Sequence, residues 1–152
     1  MANDSTSGLL AGKTIVVTGV GTGLGKEVAT AIFNDGANLV IGARTESQLQ
    51  AVAEELDPTG ERVAYVPTDI ADEAACEAIV ASAIEKFGHL DGIAQIAAYE
   101  GAMGNLSASS MNRIRKSMDI NLIGSLQMVK PAAPALKEAG GGSVVLIGSQ
   151  SM

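Results

Sequence analysis

From Lys13 to Gly25 the chain reads KTIVVTGVGTGLG, a β-branched apolar run that breaks directly into a cluster of glycines. The run is the right length and composition for a buried strand, and the glycines end it in a tight turn with bare backbone. From Gly23 to Asn34 the residues Leu24, Val28, Ala31 and Ile32 share one helical face, and Gly36 after Asp35 suits a helix stop. The pattern therefore predicts a strand over 13–19, a glycine turn, and a helix over 23–34.

The same alternation continues along the chain. Strands are predicted over 37–42, 62–67, 91–97 and 143–148, and helices over 46–56 and 72–87. A further long helix falls between Ser109 and Lys137, interrupted or ended around Pro131 and Pro134. Five strands thus alternate with four main helices. Runs such as VVLIG, apolar on both faces, belong in a parallel sheet covered by helices on both sides. Right-handed crossovers then select a doubly wound α/β sheet. At 152 residues the chain is one domain, residues 1–152. The loop from Tyr99 to Ser110, rich in Gly, Ala and Ser, is the segment expected to be most mobile.

Composition narrows the partners. Ten Lys plus Arg face seventeen Asp plus Glu, a net charge of −7 that disfavours nucleic acid and anionic membrane. Only Phe33, Tyr65, Phe87 and Tyr99 are aromatic, too few for a platform that stacks single-stranded bases. Cys76 is the only cysteine, so an intramolecular disulfide or a cysteine-built zinc site is ruled out and a reducing cytoplasm fits. No metal-ligand cluster stands out, and the lone histidine, His89, reads as a turn residue. Residues 1–12 have neither the basic nor the apolar region of a signal, and no apolar stretch is long enough to span a bilayer.

A strand-to-helix glycine turn lets backbone approach a pyrophosphate while the free N–H groups and positive end of the helix hold its charge. Gly19, Gly23 and Gly25 are the working glycines on this reading; the plainer alternative is a turn whose glycines serve packing alone. Gly25 with Lys26 also echoes the phosphate loop GxxxxGK[ST]. That match fails at Val20, where the first glycine belongs, and at Glu27, where a magnesium-binding hydroxyl belongs.

The sequence resembles the short-chain dehydrogenase/reductase family, whose first turn, TGxxxGxG, is matched by Thr18, Gly19, Gly23 and Gly25. Asp69 in PTDI matches the family's Asp after the third strand, Asn121 in DINLIGS its Asn in the long helix, and Ser149 in VVLIGSQSM its catalytic Ser. The resemblance runs from about Leu10 to the end of the chain and implies a Rossmann-like, NAD(P)-binding domain. It assigns Thr18, Gly19, Gly23, Leu24, Gly25, Arg44, Asp69, Ile70 and Ala97 to the cofactor. Ser149 and Asn121 become catalytic residues, the Ser on the substrate oxygen and the Asn supporting a proton relay. Ser151 competes with Ser149, and Asp69 has an alternative role as a helix N-cap.

Two departures stand out. The family's NNAG at the end of the fourth strand is here Gln95, Ile96, Ala97 and Ala98, and Ile96 has no side-chain hydrogen-bonding group. The family's YxxxK pair is also missing, since Tyr65 is followed four residues later by Asp69 and Tyr99 by Met103. The resemblance therefore implies an N-terminal portion of such an enzyme, its sheet incomplete and VVLIG an exposed apolar edge.

After the second strand, a carboxylate near Ala43 would accept from the ribose 2′-OH of NAD. This chain instead has neutral Ala43 and then Arg44, a guanidinium suited to a 2′-phosphate. NADP(H) is favoured over NAD(H); Arg44 as an ordinary solvated charge is the alternative. The expected function is an NADP(H)-preferring oxidoreductase acting on a small-molecule carbonyl or secondary alcohol, a homo-oligomer in its intact form. The alternative is a non-catalytic dinucleotide-binding or assembly module.

Overall fold

Alternating apolar side chains decide the layers. In the computed structural model, which describes residues 8–101 and 105–148, the strands are β1 (Thr14–Thr18), β2 (Asn38–Ala43), β3 (Val63–Pro67), β4 (Gly92–Gln95) and β5 (Ser143–Leu146). They form one parallel sheet in the order β3-β2-β1-β4-β5. The chain winds outward from β1 to β3, then returns to add β4 and β5 on the other side. The order reverses between β1 and β4, where open sheets of this kind form a crevice.

Helices α1 (Leu24–Asn34) and α2 (Glu46–Leu56) cover one face, and α3 (Glu73–Phe87) and α5 (Ser125–Glu138) the other. The two-residue period of a strand sorts its side chains between them. Val16, Val40 and Ile93 pack with Ile79, Met128 and Ala132 on one side. Val17, Leu39, Ile41 and Ala94 pack with Ala29, Leu49 and Val52 on the other. Each fully buried aliphatic side chain contributes roughly 1.5–3 kcal/mol. The result is an α/β Rossmann-like fold.

The long helix differs from expectation. It starts as α4 (Met111–Ser117), passes through a π-helical segment (Met118–Gly124) and continues as α5, which carries Pro131 and Pro134 inside it without ending. A proline deprives the carbonyl four residues back of its donor. Here those carbonyls belong to Gln127 and Lys130, while Met128, Ala132, Ala135 and Leu136 bury the sheet-facing side and hold the helix in place. β5 is an edge strand, and Val144, Val145, Leu146 and Ile147 are between 41% and 53% exposed.

Asp91 fastens the end of the sheet remote from the glycine turn. Its carboxylate accepts from Thr14 N–H and Lys13 Nζ, both at 2.9 Å, and lies 3.0 Å from His89 Nε2 in the α3–β4 turn. Burial opposes its ionisation, yet the Thr14 N–H, the Lys13 ammonium and His89 outweigh it and hold the carboxyl below the ordinary carboxylate range. A depressed folded-state pKa means that the stabilisation is complete above the unfolded value and is lost as pH falls through the folded one. Asp91→Asn is therefore expected to cost about 1–3 kcal/mol near neutral pH and to flatten the fall in urea midpoint as the pH drops below the ordinary carboxylate range. An unchanged acid slope in the variant would remove Asp91 from this role.

Cys76 is free and buried on α3. Burial and then the carboxylates of Asp72 and Asp69 push its thiol up to about 11, which makes it a packed side chain rather than a nucleophile. Among the described residues, no helix is long and apolar enough to cross a membrane, and no group of three or more His, Cys, Asp or Glu is placed to hold a metal.

Candidate functional site

Because all five strands run parallel, their carboxyl ends open on the same side. A cleft of about 1010 Å³ lies there, walled by the residues that follow each strand. The glycine turn follows the central β1, Arg44 and Asp69 follow β2 and β3 at the end on one side of it, and Tyr99, joined to Asn121, follows β4 at the end on the other.

The turn is held from two sides. Gly19 N and Val20 N both donate to Gly42 O, at 2.8 and 3.1 Å, tying it to β2. Gly19 has φ +80°, and a Cβ there would lie 2.4 Å from Ala97 N. A Cβ at Gly25 would lie 2.1 Å from Gly19 O, so α1 crosses the turn at a distance only glycine permits. Gly21 and Gly23 differ: a Cβ on either meets nothing within 4 Å, and both line the cleft. Gly23 is the N-cap of α1 and has no side-chain cap, so the first N–H groups of that helix lack intrahelical partners where Leu24 and Gly25 reach the cleft. That is the donor set a pyrophosphate requires.

Thr18 does not line the cleft. It is buried, and its hydroxyl donates to Gln95 Oε1, so it ties β1 to β4 behind the turn. Ala97 does line the cleft, pressed against Gly19.

Arg44 lies just beyond the end of β2 and is exposed. Among the described residues it takes part in no ion pair. Thr45 and Gln48 line the cleft beside it. Asp69 lines the cleft as well; its Oδ1 accepts from Ala71 N at 3.0 Å in a local turn. The N-cap of α3 is Asp72, which accepts from Ala74 N. Ile70 reaches the cleft, but its side chain belongs to the core and its carbonyl accepts from Gln127 Nε2 at 2.7 Å.

At the other end, Asn121 sits in the π-helical segment with both carboxamide N–H groups and one lone pair of its oxygen engaged. Oδ1 accepts from Tyr99 N at 2.7 Å, and Nδ2 donates to Tyr99 O at 3.0 Å and Ser117 Oγ at 3.1 Å. Its observed role is to hold the backbone after β4. Tyr99 itself lines the cleft, with Lys116 Nζ 4.9 Å from its ring centroid. Ile147 and Gly148 close that end; Ser149 and Ser151 lie outside the described residues. Sequence reasoning missed Gly21, Thr45 and Gln48 as cleft residues. Gly21 alone carried a signal, its place inside the glycine cluster.

The family model described as short chain dehydrogenase matches residues 13–152. The chain is 37% identical over 137 residues to the 2,5-dichloro-2,5-cyclohexadiene-1,4-diol dehydrogenase of Sphingobium indicum, covering 90% of this chain and 54% of that protein. It is 34% identical over 143 residues to the 11-beta-hydroxysteroid dehydrogenase A of Sesamum indicum, covering 93% of this chain and 41% of that protein. A short-chain type dehydrogenase/reductase from Mycobacterium ulcerans superposes with a TM-score of 0.83 at 30% identity, covering 89% of this chain and 50% of that one. The chain belongs to the short-chain dehydrogenase family. It spans about half the length of these relatives.

Proposed function

We propose that residues 1–152 form the dinucleotide-binding domain of an NADP(H)-preferring oxidoreductase. In the whole protein it would serve the exchange of a hydride between the nicotinamide and a small-molecule carbonyl or secondary alcohol. Bare backbone at Gly21 and Gly23, facing open space at a helix N-terminus, fits a pyrophosphate. When bound, the dinucleotide supplies the hydride donor or acceptor. Gly19, Gly23, Leu24 and Gly25 would hold its pyrophosphate, Arg44 its 2′-phosphate, and Asp69, Ile70 and Ala97 its flanks. Ser149 would hydrogen-bond the substrate oxygen, and Asn121 would support the proton relay.

The observation that carries the preference is Arg44, a cleft-end guanidinium without a carboxylate partner among the described residues. Within these 152 residues no Tyr is followed four positions later by Lys. Binding is therefore the role assigned to the chain itself, and hydride transfer to a protein that has such a pair. Met118, Leu122 and Leu126 recur at four-residue spacing, each about half exposed, which supports pairing of two copies along this helix. The buried free thiol of Cys76 accords with a cytoplasmic location.

Calorimetric titration of the purified chain with NADPH, NADH and Mg-ATP tests the reading. NADPH is expected to bind at least about tenfold more tightly than NADH, the worth of roughly one charge-assisted hydrogen bond, and Mg-ATP not to bind. Tighter NADH binding would overturn the preference. Binding of Mg-ATP alone would overturn the dinucleotide site.

A further inference from the structure

Gln95, the last residue of β4, is 3% exposed, and a buried amide must find acceptors for two N–H groups and a donor for its oxygen. It finds them on three different segments. Oε1 accepts from the hydroxyl of Thr18, the residue before the glycine turn. Nε2 donates to Ala97 O at 3.0 Å and to Ser125 Oγ at 3.3 Å. Ser125 Oγ donates in turn to Asn121 O at 2.8 Å, and the Asn121 carboxamide grips both backbone groups of Tyr99. Hydrogen bonds thus link the foot of the glycine turn, through Gln95 and Ser125, to the main-chain carbonyl of Asn121, whose own side chain carries the connection on to the Tyr99 peptide.

We infer that Gln95 is a positioning residue: acting through Ser125 and Asn121, it sets where the Tyr99 end of the cleft stands relative to the glycine turn. The inference rests on the dinucleotide reading above, since only a ligand that touches both ends depends on their separation. The Ser125 hydroxyl is the link that can be cut without touching the glycine turn. Its removal separates Gln95 from Asn121 and leaves the bonds of Gln95 to Thr18 and Ala97 in place.

The test compares NADPH, which spans the cleft, with adenosine 2′,5′-bisphosphate, which reaches only from the Arg44 end to the turn. In Ser125→Ala, at a half-buried helix position, NADPH is expected to bind about tenfold more weakly and the bisphosphate within about twofold of its original affinity. Ser125→Thr, which keeps the hydroxyl, is expected to retain the original affinity for both ligands. A purely structural role for these hydrogen bonds would instead weaken both ligands together. Equal weakening of both, or of neither, by Ser125→Ala in a chain that binds both overturns this inference alone. Failure of the unmodified chain to bind either ligand overturns the dinucleotide reading and this inference with it.

Discussion

Gly25→Ala is expected to abolish cooperative folding, while Gly23→Ala is expected to fold normally and lose the ligand. The two glycines lie two residues apart in the same turn, yet their surroundings differ. A Cβ at Gly25 would overlap the Gly19 carbonyl oxygen at 2.1 Å and approach Val20 Cα at 3.0 Å. Both are backbone atoms, and Gly19 and Val20 are themselves tied to Gly42 O. Relief requires α1 to lift off the turn, at a cost of roughly 4 kcal/mol or more, a large share of the 5–15 kcal/mol typical of a domain. At Gly23 the added methyl meets nothing, so stability should change by less than about 1 kcal/mol. The same methyl occupies the space where backbone would approach a pyrophosphate, and NADPH affinity is expected to fall at least about tenfold. Urea unfolding and NADPH titration of the two variants check both halves. Wild-type NADPH affinity in Gly23→Ala would mean that no ligand lies against that backbone.

Arg44→Glu is expected to reverse the cofactor preference. Charge-assisted hydrogen bonds contribute about 1.5–3 kcal/mol, so loss of the guanidinium weakens NADPH by roughly 10- to 100-fold. The new carboxylate adds repulsion of a 2′-phosphate and offers an acceptor to a ribose 2′-OH, so NADH binding should hold or improve. Arg44→Ala is expected to weaken NADPH without aiding NADH. Because the residue is exposed, raised salt should screen the NADPH contact and leave NADH largely unaffected. Loss of both cofactors in parallel would reassign Arg44 to general support of the cleft.

The fold was readable because its signals are local. Strand and helix periods around Val16, Val40 and Ile79 report which side chains face inward, and a parallel α/β sheet is the arrangement that buries both faces of such strands. The glycine turn was readable for the same reason, since the strand before it and the helix after it are both visible in the residues themselves. Pro131 and Pro134 misled because backbone propensity is a weak prior against the packing of Met128, Ala132 and Leu136 on the sheet. Thr18 matched the expected motif, but its orientation follows from strand parity and from Gln95, a partner 77 residues away. Gln48 gave no sequence signal, because it reaches the cleft from the first turn of α2 and belongs to no motif. Asn121 was found by resemblance, and the structure adds that its carboxamide is committed to the Tyr99 backbone.

The most direct measurement of the central claim is an amide NMR titration of the labelled chain with NADPH. Gly19, Gly21, Gly23, Gly25 and Arg44 are expected to shift. Gly60 and Gly88, at the opposite ends of the strands, are expected to stay in place. Shifts confined to those remote glycines, or no shift in the turn at saturating NADPH, would contradict a dinucleotide site at the carboxyl ends of β1 and β4.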